Sequence, residues 1–287
     1  MSRRELSKHQ RFEQVSPDVG ELDESALDEA LADAPDDTLE MLADLTAATD
    51  PKLRELAQRL AGRLMLDIAR RGAHRAHGVG RMTLQSYQPD AGDIDIDASI
   101  DAINELRLHG ATDVDQLKVR GWMKPSTALC LVVDRSGSMG GRPLANLAVA
   151  TAAVATRNPR DYSVVVFGGD VVVAKSQDAN KDSLEVVNAV LRLRGFGTTN
   201  LSEALSVAHR QLLRSRAGRK ITVLLSDCRA TVFGDVISAA RSLDELVILA
   251  PEGDDQDAQR LGVAVGARVT TVCGPSDIPN AFARVFD

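Results

Sequence analysis

The sequence predicts an α/β protein: a doubly wound, mostly parallel sheet flanked by helices, preceded by an α-helical N-terminal extension. From residue 126 onward, short apolar runs alternate with segments in which apolar residues recur at helical spacing, as strands covered by helices require. Aromatic residues make up only 3% of the 287 residues, so the core must consist mostly of Val, Leu, Ile and Ala, which suits helices packed on a parallel sheet.

The N-terminal region, residues 1–72, is acidic first and basic afterwards. Residues 1–50 hold 14 acidic residues against 4 Lys or Arg, whereas residues 52–81 hold 8 Lys or Arg against 2 acidic residues. The whole chain carries a net charge of −7. Because binding to nucleic acid depends on a basic surface, we expect no nucleic-acid partner.

Three helices are predicted in this N-terminal region. The first follows a cap at Asp23 or Ser25, and the second starts at the break Pro35-Asp-Asp-Thr38. The third is expected from Asp50-Pro51 to Gly72, because a capping residue followed by proline is typical of a helix start. The alternative is that a segment this acidic stays partly disordered until a partner binds.

Residues 73–125 are expected to form an irregular connecting segment with a short strand and a helix. The sequence Asp93-Ile-Asp-Ile-Asp97 has the spacing of a calcium loop, but Ala98 and Asn104 occupy the sixth and twelfth positions, where an EF-hand needs Gly and Glu. The alternation of Asp and Ile instead predicts a short strand with one wet face, followed by a helix capped near Asp97.

Residues 126–287 are predicted to form the α/β domain. Its predicted strands are the apolar runs at 129–133, 162–167, 171–174, 220–225, 245–249 and 268–272. Helices are predicted from near Pro143, at 183–193 and at 201–213, with further helical stretches between and after the later strands. The run at 171–174 is spaced as a hairpin partner of the strand before it.

Three polar clusters follow strands or open a helix in this domain. They are Asp134-Arg-Ser136-Gly-Ser138, Gly195-Phe-Gly-Thr198-Thr199-Asn-Leu, and Ser226-Asp227-Cys228. In such folds ligands bind beyond the carboxyl ends of the strands. Carboxylates and hydroxyls are hard oxygen ligands, which suit Mg²⁺ or Mn²⁺ better than zinc or copper.

These clusters, in this order, resemble the metal-ion-dependent adhesion site of von Willebrand factor A domains, which have a Rossmann-like sheet. The resemblance rests on the patterns D-x-S-x-S, G-x-T-N-L-x-x-A-L and L-x-S/T-D, and it covers residues 126–287. It implies the metal-ligand set Asp134, Ser136, Ser138, Thr199 and Asp227. Ser136, Ser138 and Thr199 would bind the metal directly, and the two aspartates would act mainly through water.

Two positions depart from the family pattern. Thr198 stands where the family has glycine and competes with Thr199 as the ligand, but Thr199 aligns with the threonine before Asn-Leu. Cys228 follows the aspartate where glycine is common. Neither change removes a ligand. Because the direct ligands are neutral hydroxyls, the cation stays electrophilic, and its sixth position favours an Asp or Glu carboxylate from a protein partner.

The whole chain resembles the CoxE-like group of proteins and the integrin-I-like domain of magnesium- and cobalt-chelatase D subunits. The resemblance rests on the Gly92-Asp-Ile-Asp-Ile-Asp stretch and on the form Asp134-Arg-Ser-Gly-Ser-Met. It implies a non-enzymatic adaptor that works with a MoxR-type AAA+ ATPase in client remodelling or cofactor insertion. The alternative is a non-motor subunit of a metal chelatase complex.

Other chemistries find little support in the sequence. The serines at 136 and 138 lack a G-x-S-x-G elbow, and neither His109 nor His209 is marked as a base for them. There is no P-loop, and no pattern supports a phosphoryl acceptor. His74 and His77, without further ligands nearby, are expected to be solvated turn residues.

The sequence also predicts a cytoplasmic protein. Residues 1–10 carry positive charge without an apolar stretch behind it, so no signal peptide is expected. No window approaches 18 apolar residues, which argues against a membrane span. The three cysteines are far apart and odd in number, so neither a disulfide framework nor a zinc site is expected.

Overall fold

The computed structural model describes residues 1–72, 81–87, 93–109, 116–123, 126–135, 141–193 and 198–286. The chain divides into two compact units. The first combines Met1–Ala76 with Thr127–Asp287, and the second is His77–Ser126. The N-terminal helices therefore fold together with the α/β domain, although more than fifty residues separate them along the chain.

Five helices form the N-terminal region: α1 (Arg3–Leu6), α2 (Phe12–Val15), α3 (Glu24–Asp33), α4 (Pro35–Leu45) and α5 (Pro51–Gly72). The three longer helices confirm the sequence prediction. Asp23 caps α3 by accepting hydrogen bonds from the N–H groups of Ser25 and Ala26. Helices α4 and α5 both begin with proline, whose missing N–H would be unpaired there in any case. The sequence analysis does not predict α1 and α2, because four residues are too few to show helical periodicity.

The described residues of the second unit form an antiparallel sheet of order β1–β3–β2 and one α-helix. Its elements are β1 (Arg81–Ser86), β2 (Asp93–Ile94), α6 (Ile100–His109) and β3 (Lys118–Met123). Strand β2 confirms the short strand predicted from the Asp-Ile alternation, but both of its residues are exposed, so the prediction of one wet face and one buried face is wrong. The predicted cap near Asp97 is wrong: α6 begins at Ile100, because Asp95 holds a turn before it by accepting the Ala98 N–H at 2.9 Å. His74 lies outside the described residues, as does His77.

Six strands form the central sheet of the first unit. They are β4 (Thr127–Asp134), β5 (Tyr162–Phe167), β6 (Val171–Lys175), β7 (Arg219–Leu225), β8 (Glu245–Pro251) and β9 (Arg268–Val272). Their order is β6-β5-β4-β7-β8-β9. Every neighbouring pair is parallel except the β5–β6 hairpin. The predicted mostly parallel sheet and its antiparallel edge hairpin are thus confirmed.

Helices cover both faces of this sheet. They are α7 (Arg142–Arg157), α8 (Ser183–Leu191), α9 (Leu201–Leu212), α10 (Val236–Arg241), α11 (Gln256–Val265) and α12 (Ile278–Phe286), the last preceded by a 3-10 turn at Pro275–Asp277. The buried side chains of α9, α10 and α11 belong to one hydrophobic core. Those of α7, α8 and α12 belong to another. Strand β4 supplies both cores, because successive side chains of a strand point to opposite faces.

The N-terminal helices form a further layer outside α7 and α8. Helices α4 and α5 pack against α7, and α5 also packs against α8. Helix α7 therefore lies between the sheet and a second helical layer, and its residues 147–155 are all buried. Because neither side of α7 faces solvent over these residues, the helix is apolar all round.

Candidate metal centre

The two predicted aspartates lie at the ends of neighbouring strands. Asp134 is the last residue of β4, and Asp227 follows the end of β7 by two residues. The strands are parallel, with Val133 opposite Leu225, so their carboxyl ends meet at one edge of the sheet. There the Ser226 hydroxyl donates a hydrogen bond to Asp134 Oδ2 at 3.0 Å. The structure thus joins the first and third polar clusters directly.

The turn after β7 is built around the buried Ser226 side chain. Its oxygen also accepts the Cys228 N–H at 2.9 Å, so one hydroxyl connects Asp134 to the backbone beyond Asp227. Asp227 itself accepts the Arg229 N–H at 2.9 Å. Cys228 has φ of 65°, a left-handed conformation that favours glycine. Cysteine in place of the family's glycine is therefore strained at this position. The hydrogen bond from the Cys228 N–H to Ser226 helps to stabilise this backbone conformation.

Cys228 is a buried free thiol next to Asp227. Burial raises its pKa to about 12, and the negative charges of Asp227 and Asp134 add to the effect. A thiolate is the form that attacks electrophiles or binds metal. All three cysteines are free thiols, and the two aspartates leave this one protonated.

Thr199 is held between the loops that follow β5 and β7. Its N–H donates to Thr231 Oγ1 at 2.7 Å, and its carbonyl accepts the N–H groups of Thr231 and Val232. The next residue, Asn200, donates its N–H to the carbonyl of Gly168 at 2.8 Å and caps α9 with its side chain. These bonds attach the Thr199 segment to both loops.

The two candidate threonines differ in burial. Thr199 is 3% exposed, whereas Thr198 is exposed and lies close to Gly169, where an added Cβ would come within 2.8 Å of its hydroxyl. Thr199 as the ligand rests on its place before Asn-Leu in the sequence and stays a prediction. Ser136 and Ser138 lie outside the described residues, and their assignment stays a prediction.

Arg135 is a residue whose role the sequence analysis missed. Its N–H donates to the Phe167 carbonyl at 2.7 Å, and its buried guanidinium forms an ion pair with Asp170 in the β5–β6 turn. The side chain of the residue after Asp134 is thereby directed to the neighbouring hairpin. A basic residue between two acidic or polar ligands gives no signal in a single sequence that would reveal such a partner.

The donor set fits a hard divalent cation. Among the residues that the structure describes, no group of three or more His, Cys, Asp or Glu side chains could hold a metal. Two carboxylates lie at the ends of neighbouring strands, and Thr199 is bonded to the loop that follows the second of them. Carboxylate and hydroxyl oxygens are the ligands that Mg²⁺ and Mn²⁺ prefer. Zinc, which favours nitrogen and sulfur, is a poor match.

Residues 129–229 match the sequence family described as von Willebrand factor type A domain. This match supports a von Willebrand factor A domain over the matched part of the chain. The match begins in β4 and ends just after Asp227, so it spans both aspartates and Thr199. No curated protein matches the chain. The narrower resemblance to CoxE-like proteins and chelatase D subunits stays a prediction.

Several solved structures are similar to part of this chain. The D319A mutant of the PilB minor pilin from Streptococcus sanguinis has a TM-score of 0.47 at 12% identity, covering 59% of this chain and 63% of that one. A von Willebrand factor type A protein from Catenulispora acidiphila has 0.45 at 16%, covering 59% and 43%. The manganese-loaded TRAP protein of Plasmodium vivax has 0.45 at 15%, covering 56% and 73%. The chain thus spans less than two thirds of the first two proteins.

Within the described ranges, no helix combines the length and the apolar character that crossing a bilayer requires.

Proposed function

We propose that this protein is a metal-dependent interaction adaptor, which holds Mg²⁺ or Mn²⁺ and binds an Asp or Glu side chain of a partner protein. The proposed ligands are Asp134, Ser136, Ser138, Thr199 and Asp227. The observation that carries the proposal is the hydrogen bond from Ser226 to Asp134, because it joins the ends of β4 and β7 and brings both aspartates to one edge of the sheet.

The chemistry of this edge favours binding over catalysis. The bound cation would supply a Lewis-acidic position for one carboxylate oxygen of the partner. The chain's own residues orient the cation: Ser226 fixes Asp134, and Thr231 fixes the backbone of Thr199.

The proposed partner also makes an apolar contact, through the side chain of Phe233. Phe233 is fully exposed, in contrast to Phe167, which is fully buried in the sheet. The loop that carries Phe233 has a fixed contact on each side of the ring. On the N-terminal side, the Thr231 hydroxyl accepts the Thr199 N–H. On the C-terminal side, Gly234 lies so close to Ser202 that an added Cβ would collide with the Ser202 hydroxyl. We expect the partner to place an apolar pocket over this ring, next to its acidic residue.

A random peptide library displayed on phage tests this function. Selection on the immobilised chain in Mg²⁺ should enrich peptides that contain Asp or Glu next to apolar residues, and EDTA or Asp134→Asn should abolish the enrichment. Phe233→Ser should keep the acidic preference but weaken peptide binding about tenfold, as expected for an aromatic anchor. Enrichment that is independent of Mg²⁺, or that contains no acidic residue, would contradict the proposal.

The proposed partner is a cytoplasmic AAA+ ATPase of the MoxR type. This part rests on the sequence resemblance, and it is tested by ATP hydrolysis. The wild-type chain should change the turnover rate of such an ATPase, and folded Asp134→Asn should leave the rate unchanged. Equal effects of both chains would show that any association does not pass through the cation site.

A further inference from the structure

Helix α4 presents three carboxylates to the α/β domain. Asp36, Glu40 and Asp44 are spaced by four residues, so they lie along one face of the helix. Asp36 accepts the Ser276 N–H at 2.8 Å, and Glu40 forms an ion pair with Arg142. Asp44 accepts the Gly141 N–H at 2.5 Å. Each carboxylate thus contacts a residue that is distant in sequence, and two of them contact the start of α7.

The start of α7 has no capping side chain of its own. Gly141 occupies the cap position with φ of 55° and ψ of −128°, a conformation that favours glycine. The first N–H groups of a helix need partners and attract negative charge. Asp44, on another helix, accepts the Gly141 N–H, and Asp44 and Glu40 together bring negative charge to this helix start.

Asp44 is itself firmly held. The residue is 6% exposed, and its second oxygen, Oδ2, lies 2.9 Å from Nε2 of His9. A carboxylate with two fixed partners has little freedom to follow a moving backbone. The Gly141 N–H is therefore tied to a point on the N-terminal helical layer rather than to solvent.

This contact occurs three residues after Ser138 and seven after Asp134. The residues before the two serines are also held. Ser226 donates a hydrogen bond to Asp134, and the Phe167 carbonyl accepts the Arg135 N–H. We infer that Asp44 is a positioning residue for the cation site: it fixes the exit of the segment that carries the two serine ligands. The inference rests on the proposed function. It makes the N-terminal region part of the working site rather than an appendage.

Manganese affinity separates this role from a merely structural one. Asp44→Ala should weaken Mn²⁺ binding, measured by isothermal titration calorimetry, about tenfold, as is typical when a residue that orients metal ligands is lost. Asp36→Ala is the matched control, because it removes a carboxylate-to-backbone bond from the same face of α4, at the other end from Gly141. It should lower the unfolding temperature similarly but leave the Mn²⁺ affinity within twofold of wild type.

The conservative variant should restore the affinity. In Asp44→Asn the amide oxygen can still accept the Gly141 N–H, so Mn²⁺ binding should return to within about threefold of wild type. Equal affinities of wild type and Asp44→Ala would overturn the inference, as would equal losses in Asp44→Ala and Asp36→Ala. A wild-type chain that binds no Mn²⁺ would overturn the proposed function as well.

A measurement on the unmodified chain guards against a variant that does not fold. Hydrogen exchange of the Gly141 amide in metal-free buffer should be slowed at least about tenfold relative to an unstructured chain, because Asp44 holds it before any cation binds. Exchange at the unstructured rate would show that the exit is not fixed, and would overturn the inference.

Discussion

Replacing Ser226 by alanine should weaken both the fold and the cation site. The buried hydroxyl donates to the Asp134 carboxylate at 3.0 Å and accepts the Cys228 N–H at 2.9 Å. Losing a hydrogen bond to a charged group costs about 1.5–3 kcal/mol, and leaving a buried N–H without a partner costs about 1–3 kcal/mol. Because these losses overlap in one small site, we expect Ser226→Ala to lower the free energy of unfolding by roughly 3 kcal/mol.

The chain offers a matched control for this substitution. Ser215 makes the same pair of contacts at a different place: its hydroxyl donates to Asp161 Oδ2 at 2.6 Å and accepts the Ala217 N–H at 3.0 Å. It is only partly buried, so water can replace some of what is lost, and Ser215→Ala should cost about 1 kcal/mol.

Urea denaturation measures the stability of both variants, and isothermal titration with Mn²⁺ measures the site. Ser226→Ala should bind Mn²⁺ about tenfold more weakly, because Asp134 loses the group that orients it. Ser215→Ala should bind as the wild type does. If Ser226→Ala retains wild-type affinity, Ser226 does not organise the site. If both variants lose the same free energy of unfolding, the burial of the serine hydroxyl does not determine how much stability its removal costs.

Two further predictions concern titration and thiol reactivity. Arg219 holds the pKa of Glu245 below its ordinary value of 4.5, so this carboxylate stabilises the fold above that pH, and the stabilisation is lost as the pH falls through the lowered pKa. Glu245→Gln should therefore flatten the loss of stability between about pH 5 and 3, measured as urea midpoints; an unchanged slope would contradict it. At pH 8 the exposed Cys273 should react with Ellman's reagent in the native chain, whereas Cys130 and Cys228, each with its pKa raised to about 12 by burial, should react only on unfolding.

Much of the α/β architecture could be predicted from the sequence. The strand from Thr127 to Asp134 is a continuous apolar run because helices cover both of its faces. The start of α5 carries its own signal in Asp50 and Pro51. Asp134 and Asp227 could be paired in advance, because parallel strands place their carboxyl ends at one edge.

The contacts between distant polar residues could not be predicted. Asp44 and Gly141 are 97 residues apart. Residues 1–50 contain 14 acidic residues, and nothing in the sequence indicates which of them contacts Gly141. The bridging role of Ser226 depends on the side-chain geometry of two adjacent loops. Apolar periodicity predicts which faces are buried, but it does not predict which polar atoms meet across them.

The most direct test of the account is Mn²⁺ titration of the wild-type chain beside Asp134→Asn. As a control, Asp178→Asn removes an exposed carboxylate that pairs with Arg214 after the edge strand β6. Wild type and the control should each bind one Mn²⁺ per chain with equal affinity, and Asp134→Asn should bind at least about tenfold more weakly. A wild-type chain that binds no Mn²⁺, or equal binding by all three chains, would contradict the claim that this edge of the sheet is a cation site.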